Sequence, residues 1–382
     1  TSYANTISFP LHTPGRTTKA SPADVRRNNR SLVFGLLFPN GQLSRADLGR
    51  QTGLSRVAIR ESANSMLDEG LICESGFDVN ARQGKRGTLL SIDTSRLHII
   101  SVDLSQEHLV QGAVTDLLGT PQQRMEMALG PDNDINADMI VQLVDQLRTD
   151  IDADTIIGIG IAATGVVEDG VIRESTVLGW RDLDLRGMLE RRFGFPVTIS
   201  NDVVCSMLAE RFFGHGDKSM LFIKIDRGIG AATLIDDVTV IGQNHAGGEI
   251  RAISLDPESG GVVSVRQAPG AWRRWSHRRD SRADSPRATP EEQLDIIRSC
   301  GSSSPRRSPI QLASLAINDI CVYGPPDIVN AAFLEATQRR VDMVSSSKFH
   351  KHTPVRTVQV GSDIALRGSA IDVVHHYIEN GH

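Results

Sequence analysis

The sequence predicts an α/β protein with a small helical head on its amino-terminal side, and three observations predict it. Residues Ser44 to Gly70 read as two short helices joined by a tight turn at Thr52-Gly53-Leu54. Two strand-like runs around a basic loop follow, and from His98 onward strand-like runs alternate with helical ones. At 382 residues the chain has room for two or three domains, each with its own core.

Composition excludes several classes. No apolar run approaches the length of about 18 to 20 residues that spans a bilayer, so no membrane partner is expected. Residues 1–24 carry Pro10, Pro14, Gly15 and Pro22 among hydroxyl side chains and read as a flexible tail without the apolar core of a signal peptide. Cys73, Cys205, Cys300 and Cys321 have no paired spacing, which predicts reduced thiols, a cytoplasmic location and no metal site.

The head is predicted over residues 25–92. Val25 to Phe38 forms an amphipathic helix whose Val33, Leu36 and Leu37 can cover a helix pair, and Pro39-Asn40-Gly41 stops it. Ser44 supplies an N-cap oxygen, Asp47 a first-turn carboxylate, and Gly53 the positive φ that ends the helix. The second helix restarts at Ser55 and buries Ile59, Ala63, Met66 and Leu67, which leaves Arg56, Ala58, Arg60, Glu61, Asn64 and Ser65 outward. Leu71 to Glu74 and Thr88 to Ile92 form a hairpin tipped by Arg82, Lys85 and Arg86. Helix, turn, helix and basic hairpin are the layout of a winged helix-turn-helix, whose second helix enters the major groove. Ser55, Arg56, Arg60, Asn64 and Ser65, with Lys85 and Arg86 in the wing, are therefore the candidate contacts to a double-stranded DNA operator.

Charge agrees with that layout. Residues 1–92 hold 12 Lys and Arg against 7 Asp and Glu, a net +5, which leaves 29 − 39 = −10 for the remainder of a chain whose total is −5. A basic head on an acidic body approaches phosphates while the body stays clear of them.

Ser91 to Ser95 is a short hinge, and the body runs over residues 97–382. Strands are predicted at His98 to Leu104, Leu109 to Asp116, near Gln123 to Leu129, at Thr155 to Ala162, Pro196 to Ser200, Met220 to Asp226 and Ala231 to Ile235. Helices are predicted at Ile135 to Asp150, Leu183 to Phe193 and Val203 to Phe213. Such alternation places ligand chemistry at strand ends. Asn201-Asp202 sits where a strand gives way to a helix, with an amide and a carboxylate suited to sugar hydroxyls; the same pair also suits helix capping. Thr164-Gly165 follows the strand before it and can line the same place. Gly228 and Gly230 suit either a ligand loop or a hairpin.

In order, the head, GIGIAATGVVEDG, SNDVVCSMLAERFFG, DRGIGAATLIDD, HAGGEI and VGSDIALRGSAIDVVHHYI resemble a transcriptional regulator of the ROK family of repressors and sugar kinases. The resemblance implies a winged helix-turn-helix followed by a two-lobed, actin-like sugar-kinase body with a sugar or sugar phosphate between the lobes. It also implies a homodimer or homotetramer presenting heads to two half-sites. Asp202 matches the kinases' base and would here be a sugar ligand, and Glu249 in Gly247-Gly248-Glu249-Ile250 matches the family's sugar-binding Glu.

Three departures qualify the resemblance. Where kinases of this fold cradle phosphates on an Asp-x-Gly-Gly-Thr turn, this chain has Asp103-Leu104-Ser105-Gln106-Glu107, without glycine, which predicts no kinase activity and no nucleotide cofactor. Arg251-Ala252 replaces the family's Gly-His, and no cysteine lies between Cys205 and Cys300, which predicts no structural zinc. Residues 260–309 are rich in Arg, Ser and Pro and read either as a basic insertion or as a stretch out of frame, since Ala271-Trp272-Arg273 in a shifted frame can encode Cys-Leu-Glu. The expected function is a DNA-binding regulator, a repressor of carbohydrate-utilisation genes answering to a sugar. The alternatives are a sugar kinase with an added head and a DNA-binding regulator that answers to no ligand.

Overall fold

The computed structural model describes residues 21–77, 87–130, 134–226, 229–240, 254–255, 262–263, 317–344 and 352–380. The chain divides into two compact units, Thr1–Phe213 with Ser362–His382, and Gly214–Gly361.

Helix α1 spans Pro22–Leu37 and begins inside the stretch expected to be tail. The reason is local. Ser21 and Asp24 form a reciprocal capping box and Pro22 occupies the first turn, where its missing N–H costs nothing. β1 (Leu43–Ser44) leads into α2 (Arg45–Thr52), which opens on a second capping box, Ser44 with Asp47, and closes on left-handed Gly53. The Ser44 hydroxyl, ahead of Arg50, holds the Asp47 carboxyl below the usual carboxylate range. α3 (Arg56–Glu69) is capped by Ser55, and β2 (Ile72–Phe77) and β3 (Thr88–Ile92) pair antiparallel, with β3 central between β1 and β2. Val33, Phe34, Leu37, Leu48, Ile59 and Met66 close the core of this winged helix-turn-helix, all at 2% exposure or less. Each such side chain contributes roughly 1.5–3 kcal/mol.

The rest of the first unit is a mixed sheet. β4 (His98–Asp103), β5 (Leu109–Thr115) and β6 (Pro121–Ala128) form a meander, and α4 (Ala137–Leu147) leads to β7 (Ile156–Ala163). Three short strands, β8 (Val166–Glu168), β9 (Val171–Ser175) and β10 (Trp180–Leu183), make a separate antiparallel sheet that the sequence reading did not anticipate. α5 (Leu185–Phe193), β11 (Val197–Asn201) and α6 (Asp202–Phe213) follow. The main order is β11-β7-β4-β5-β6, with β4, β7 and β11 parallel.

In the second unit β12 (Met220–Ile225), β13 (Ile229–Ile235) and β14 (Val238–Thr239) run antiparallel. β15 (Ser254–Leu255) pairs with β16 (Val262–Val263), while β17 (Asp319–Tyr323), α7 (Ala331–Val344) and β18 (Val355–Thr357) complete the unit. Its order, β14-β13-β12-β17-β18 with the last three parallel, repeats the topology of the first sheet.

α8 (Ile364–Asn380) returns to the first unit and lies on β7. The strand's composition follows from this contact. Ile159 and Ile161 face the core under α4 and α5, whereas a Cβ on Gly160 would stand 2.4 Å from the Ser369 carbonyl oxygen of α8. α8 also crosses α6 so closely that a Cβ on Gly368 would fall 1.8 Å from the Cys205 carbonyl oxygen.

Candidate functional site

Two places in the first unit carry the candidate chemistry. The first is the outer face of α3. Arg56, Arg60, Glu61 and Asn64 are exposed there, opposite buried Ile59, Ala63 and Met66, as the helical spacing predicts. Ser55 spends its side chain on capping, accepting from the Ala58 N–H at 3.2 Å. The uncompensated N–H groups of that first turn form a positive end suited to a phosphate.

Ser65 has a different role from the one its position suggests. Its hydroxyl donates to Glu69 at 2.7 Å and accepts from Arg30 at 3.3 Å, so it belongs to the network that fastens α3 to α1. Arg30 grips both oxygens of Glu69 with its two outer nitrogens. Lys85 and Arg86, expected at the wing tip, lie outside the described residues. Two neighbours absent from the sequence-based set stand on the same face. Arg45 reaches Asn64 Oδ1 at 3.5 Å and Glu74 at 3.6 Å, and Val57 is 58% exposed.

The second place is the carboxyl end of the parallel strands, where β4 ends at Asp103, β7 runs into Thr164-Gly165 and β11 ends at Asn201. Asp103 stands opposite Ala162, and Asn201 opposite Ala163, so the three ends share one edge. Asn201 holds the edge together: its Nδ2 donates to the Gly165 carbonyl at 2.8 Å and its Oδ1 accepts from the Val203 N–H at 2.9 Å. It thereby caps α6, as the pair's position also allows, while fixing the neighbouring loop. Gly165 has φ +97° and a Cβ there would lie 2.2 Å from the Glu174 carbonyl oxygen, so only glycine lets the loop pass β9. Thr164 and Ser175 hydroxyls meet at 2.9 Å. Asp202, the first residue of α6, is buried at the same edge. Thr164, Gly165, Asn201 and Asp202 are thus brought together, and Glu249 lies outside the described residues.

Asp103 is engaged by its own loop. One carboxylate oxygen accepts from the Ser105 N–H and the other from Gln106 Nε2, both at 2.8 Å. The turn that follows β4 is closed around an anion, which is opposite to a cradle of free N–H groups. Among the described residues, no group of three or more His, Cys, Asp or Glu is placed to hold a metal ion, and no helix is long and apolar enough to cross a membrane. The Arg/Ser/Pro-rich stretch 260–309 lies outside the described residues apart from the short strand β16.

Both places contact common helices. Phe38, at the end of α1, meets Phe212 and Phe213 at the far end of α6 edge-on, at 5.5 and 5.9 Å between ring centroids. The Arg30 guanidinium lies 6.0 Å from the ring centroid of Tyr377 on α8, and burial first, with the Glu69 charge second, pushes the Tyr377 pKa up.

Residues 99–261 match the family model described as ROK family. The xylose repressor of Bacillus subtilis is 25% identical over 240 residues, 61% of this chain and 62% of that protein. The DNA-binding transcriptional repressor Mlc of Escherichia coli is 26% identical over 246 residues, 61% of this chain and 59% of that one. The chain therefore spans about three fifths of the length of these curated relatives. A solved ROK family transcriptional regulator, a homolog of the E. coli MLC protein, matches with a TM-score of 0.73 at 18% identity, covering 94% of this chain and 100% of that one. That likeness establishes the fold, an actin-like, sugar-kinase-like body behind the helical head.

Proposed function

From a chain whose residues 99–261 match the ROK family model and follow a winged helix-turn-helix, we propose a sequence-specific DNA-binding transcriptional regulator that represses carbohydrate-utilisation genes and answers to a sugar or sugar phosphate. The observation that carries this reading is the outward face of α3, where Arg56, Arg60 and Asn64 stand exposed on a helix whose opposite side is fully packed. Arg and Asn are the side chains that pair bidentately with guanine and adenine edges. Lys85 and Arg86 would hold phosphates from the wing, and a homodimer or homotetramer would present two heads to an operator with two half-sites. The location proposed is the cytoplasm.

Thr164, Asn201 and Asp202, with Glu249, would hold the sugar. The ligand acts only through unequal affinity for DNA-competent and incompetent arrangements of the head. Two helices supply a material route: α6 starts at Asp202 and ends against Phe38, while α8 packs on Ala162 and Cys205 near the ligand edge and meets Arg30 of the head through Tyr377. The closed Asp103 turn supports a body that transfers no phosphoryl group.

The test is selection of duplex DNA by the full chain, followed by titration of a sugar panel against the selected site. Arg60→Ala should weaken binding, and Asp202→Ala should abolish the sugar response while leaving operator binding intact. Absence of any preferred DNA sequence, or ATP-dependent sugar phosphorylation at an ordinary enzymatic rate, would refute the reading.

A further inference from the structure

We infer that Val57 is a specificity-determining residue that reads the 5-methyl group of a thymine in the major groove; the inference rests on the DNA-binding reading of α3. At about 100° per residue, buried Ile59, Ser62, Ala63 and Met66 define one side of α3, and Val57 falls roughly opposite their midpoint, between Asn64 and Glu61. It is 58% exposed, one of four large apolar side chains so exposed among the described residues, with Val25, Phe77 and Val240.

Stability does not explain it. A β-branched residue at an exposed helical position is worse than alanine, and Val57 buries little within its own domain. Its place is the second residue of a helix capped by Ser55, in the first turn, which is the part of a recognition helix that meets base edges. Its exposed neighbours are Arg56, Arg60, Glu61 and Asn64, all polar. They supply pairing to donors and acceptors, and Val57 supplies an apolar contact. The major-groove edge offers one apolar partner among the four bases, the thymine methyl. The operator half-site should therefore hold a thymine flanked by the base pairs that Arg56, Arg60 and Asn64 contact.

The experiment uses the full chain and sites selected from a randomised duplex library. Each thymine is replaced singly by uracil, which removes only the methyl group. The wild-type protein should lose about three- to fivefold in affinity at one thymine per half-site, as expected for one buried methyl. Val57→Ala should bind the thymine and uracil duplexes equally there, while Arg60→Ala, which keeps the methyl contact, should still distinguish them. If no uracil substitution weakens the wild-type protein, or if Val57→Ala loses as much at the same position, the inference is wrong although the DNA-binding reading stands. If selection returns no preferred sequence, both fall together.

Discussion

Arg30 of α1 grips the carboxylate of Glu69, the last residue of α3, with both of its outer nitrogens. The same guanidinium lies 6.0 Å from the Tyr377 ring centroid, so α1, α3 and α8 meet in one clasp. Among the described residues, this clasp and the aromatic contact of Phe38 with Phe212 and Phe213 both join the head to the body.

Tyr377→Phe keeps the ring beside Arg30 and removes the hydroxyl. Operator affinity without sugar should change by less than threefold, whereas the ratio of affinities with and without sugar should shrink. Fluorescence anisotropy on a labelled operator, with and without ligand, reads both quantities, and an unchanged ratio would remove the clasp from the coupling route.

Breaking the ion pair should cost stability. The Arg30 and Glu69 side chains are 9% and 20% exposed, so Glu69→Leu alone should lose on the order of 2–3 kcal/mol, somewhat less than the about 3–5 kcal/mol of a fully buried pair. Arg30→Met combined with Glu69→Leu should recover part of that loss, because no charge is left unpaired. Urea midpoints of the three proteins decide it; a double variant no better than the single would contradict the account.

Gly368→Ala is predicted to be among the most damaging small substitutions. The added methyl would collide with backbone of α6 at Cys205, which no rotamer change relieves, so α6 and α8 must part. We expect a loss of about 1–3 kcal/mol or more and, because both helices bear the head, weakened operator binding. Thermal melting together with DNA binding tests this.

Burial pushes the Asp372 carboxyl above the ordinary value of 3.8, against the opposing pull of Ser200, His375 and Cys205. The native state then binds the proton more tightly than the unfolded chain does. Its contribution to stability is present at acid pH, is lost as pH rises from about 3.8 through the raised native value, and stays lost above it. Asp372→Asn cannot ionise, so it should be more stable than wild type at neutral pH and converge with it at low pH. Parallel stability curves across that range would show that Asp372 does not titrate as described.

Much of the head was legible because its signals are local. Ser44, Asp47, Gly53 and Ser55 act within three residues of themselves, and every helix boundary they mark is found within one residue. The β8–β10 sheet carried a local signal too: Asp169 and Gly170 both have positive φ, the Asp-Gly turn of a two-residue hairpin, but its strands are only three to five residues long. α8 offered no stripe to read. Sheet, α6 and α1 surround it, so it is apolar on several sides and shows no clear helical period. Among the site residues, Asn201 and Asp202 stood out by their place at a strand end. Arg30, Phe38 and Tyr377 could not, because the contacts that matter, Arg30 with Ser65, Glu69 and Tyr377 and Phe38 with Phe212, lie 35 to more than 100 residues apart in sequence.

The sheet of the first unit is covered on one face by α8, Ile364–Asn380, made after the whole of the second unit. During synthesis, the face of β7 that meets α8 must wait uncovered while well over a hundred residues emerge from the ribosome. A nascent chain stalled before Ile364 would hold a head already folded around its own core and resting on Phe212 and Phe213, but lacking its contact with Tyr377, so the final residues to be made decide how firmly that head is set.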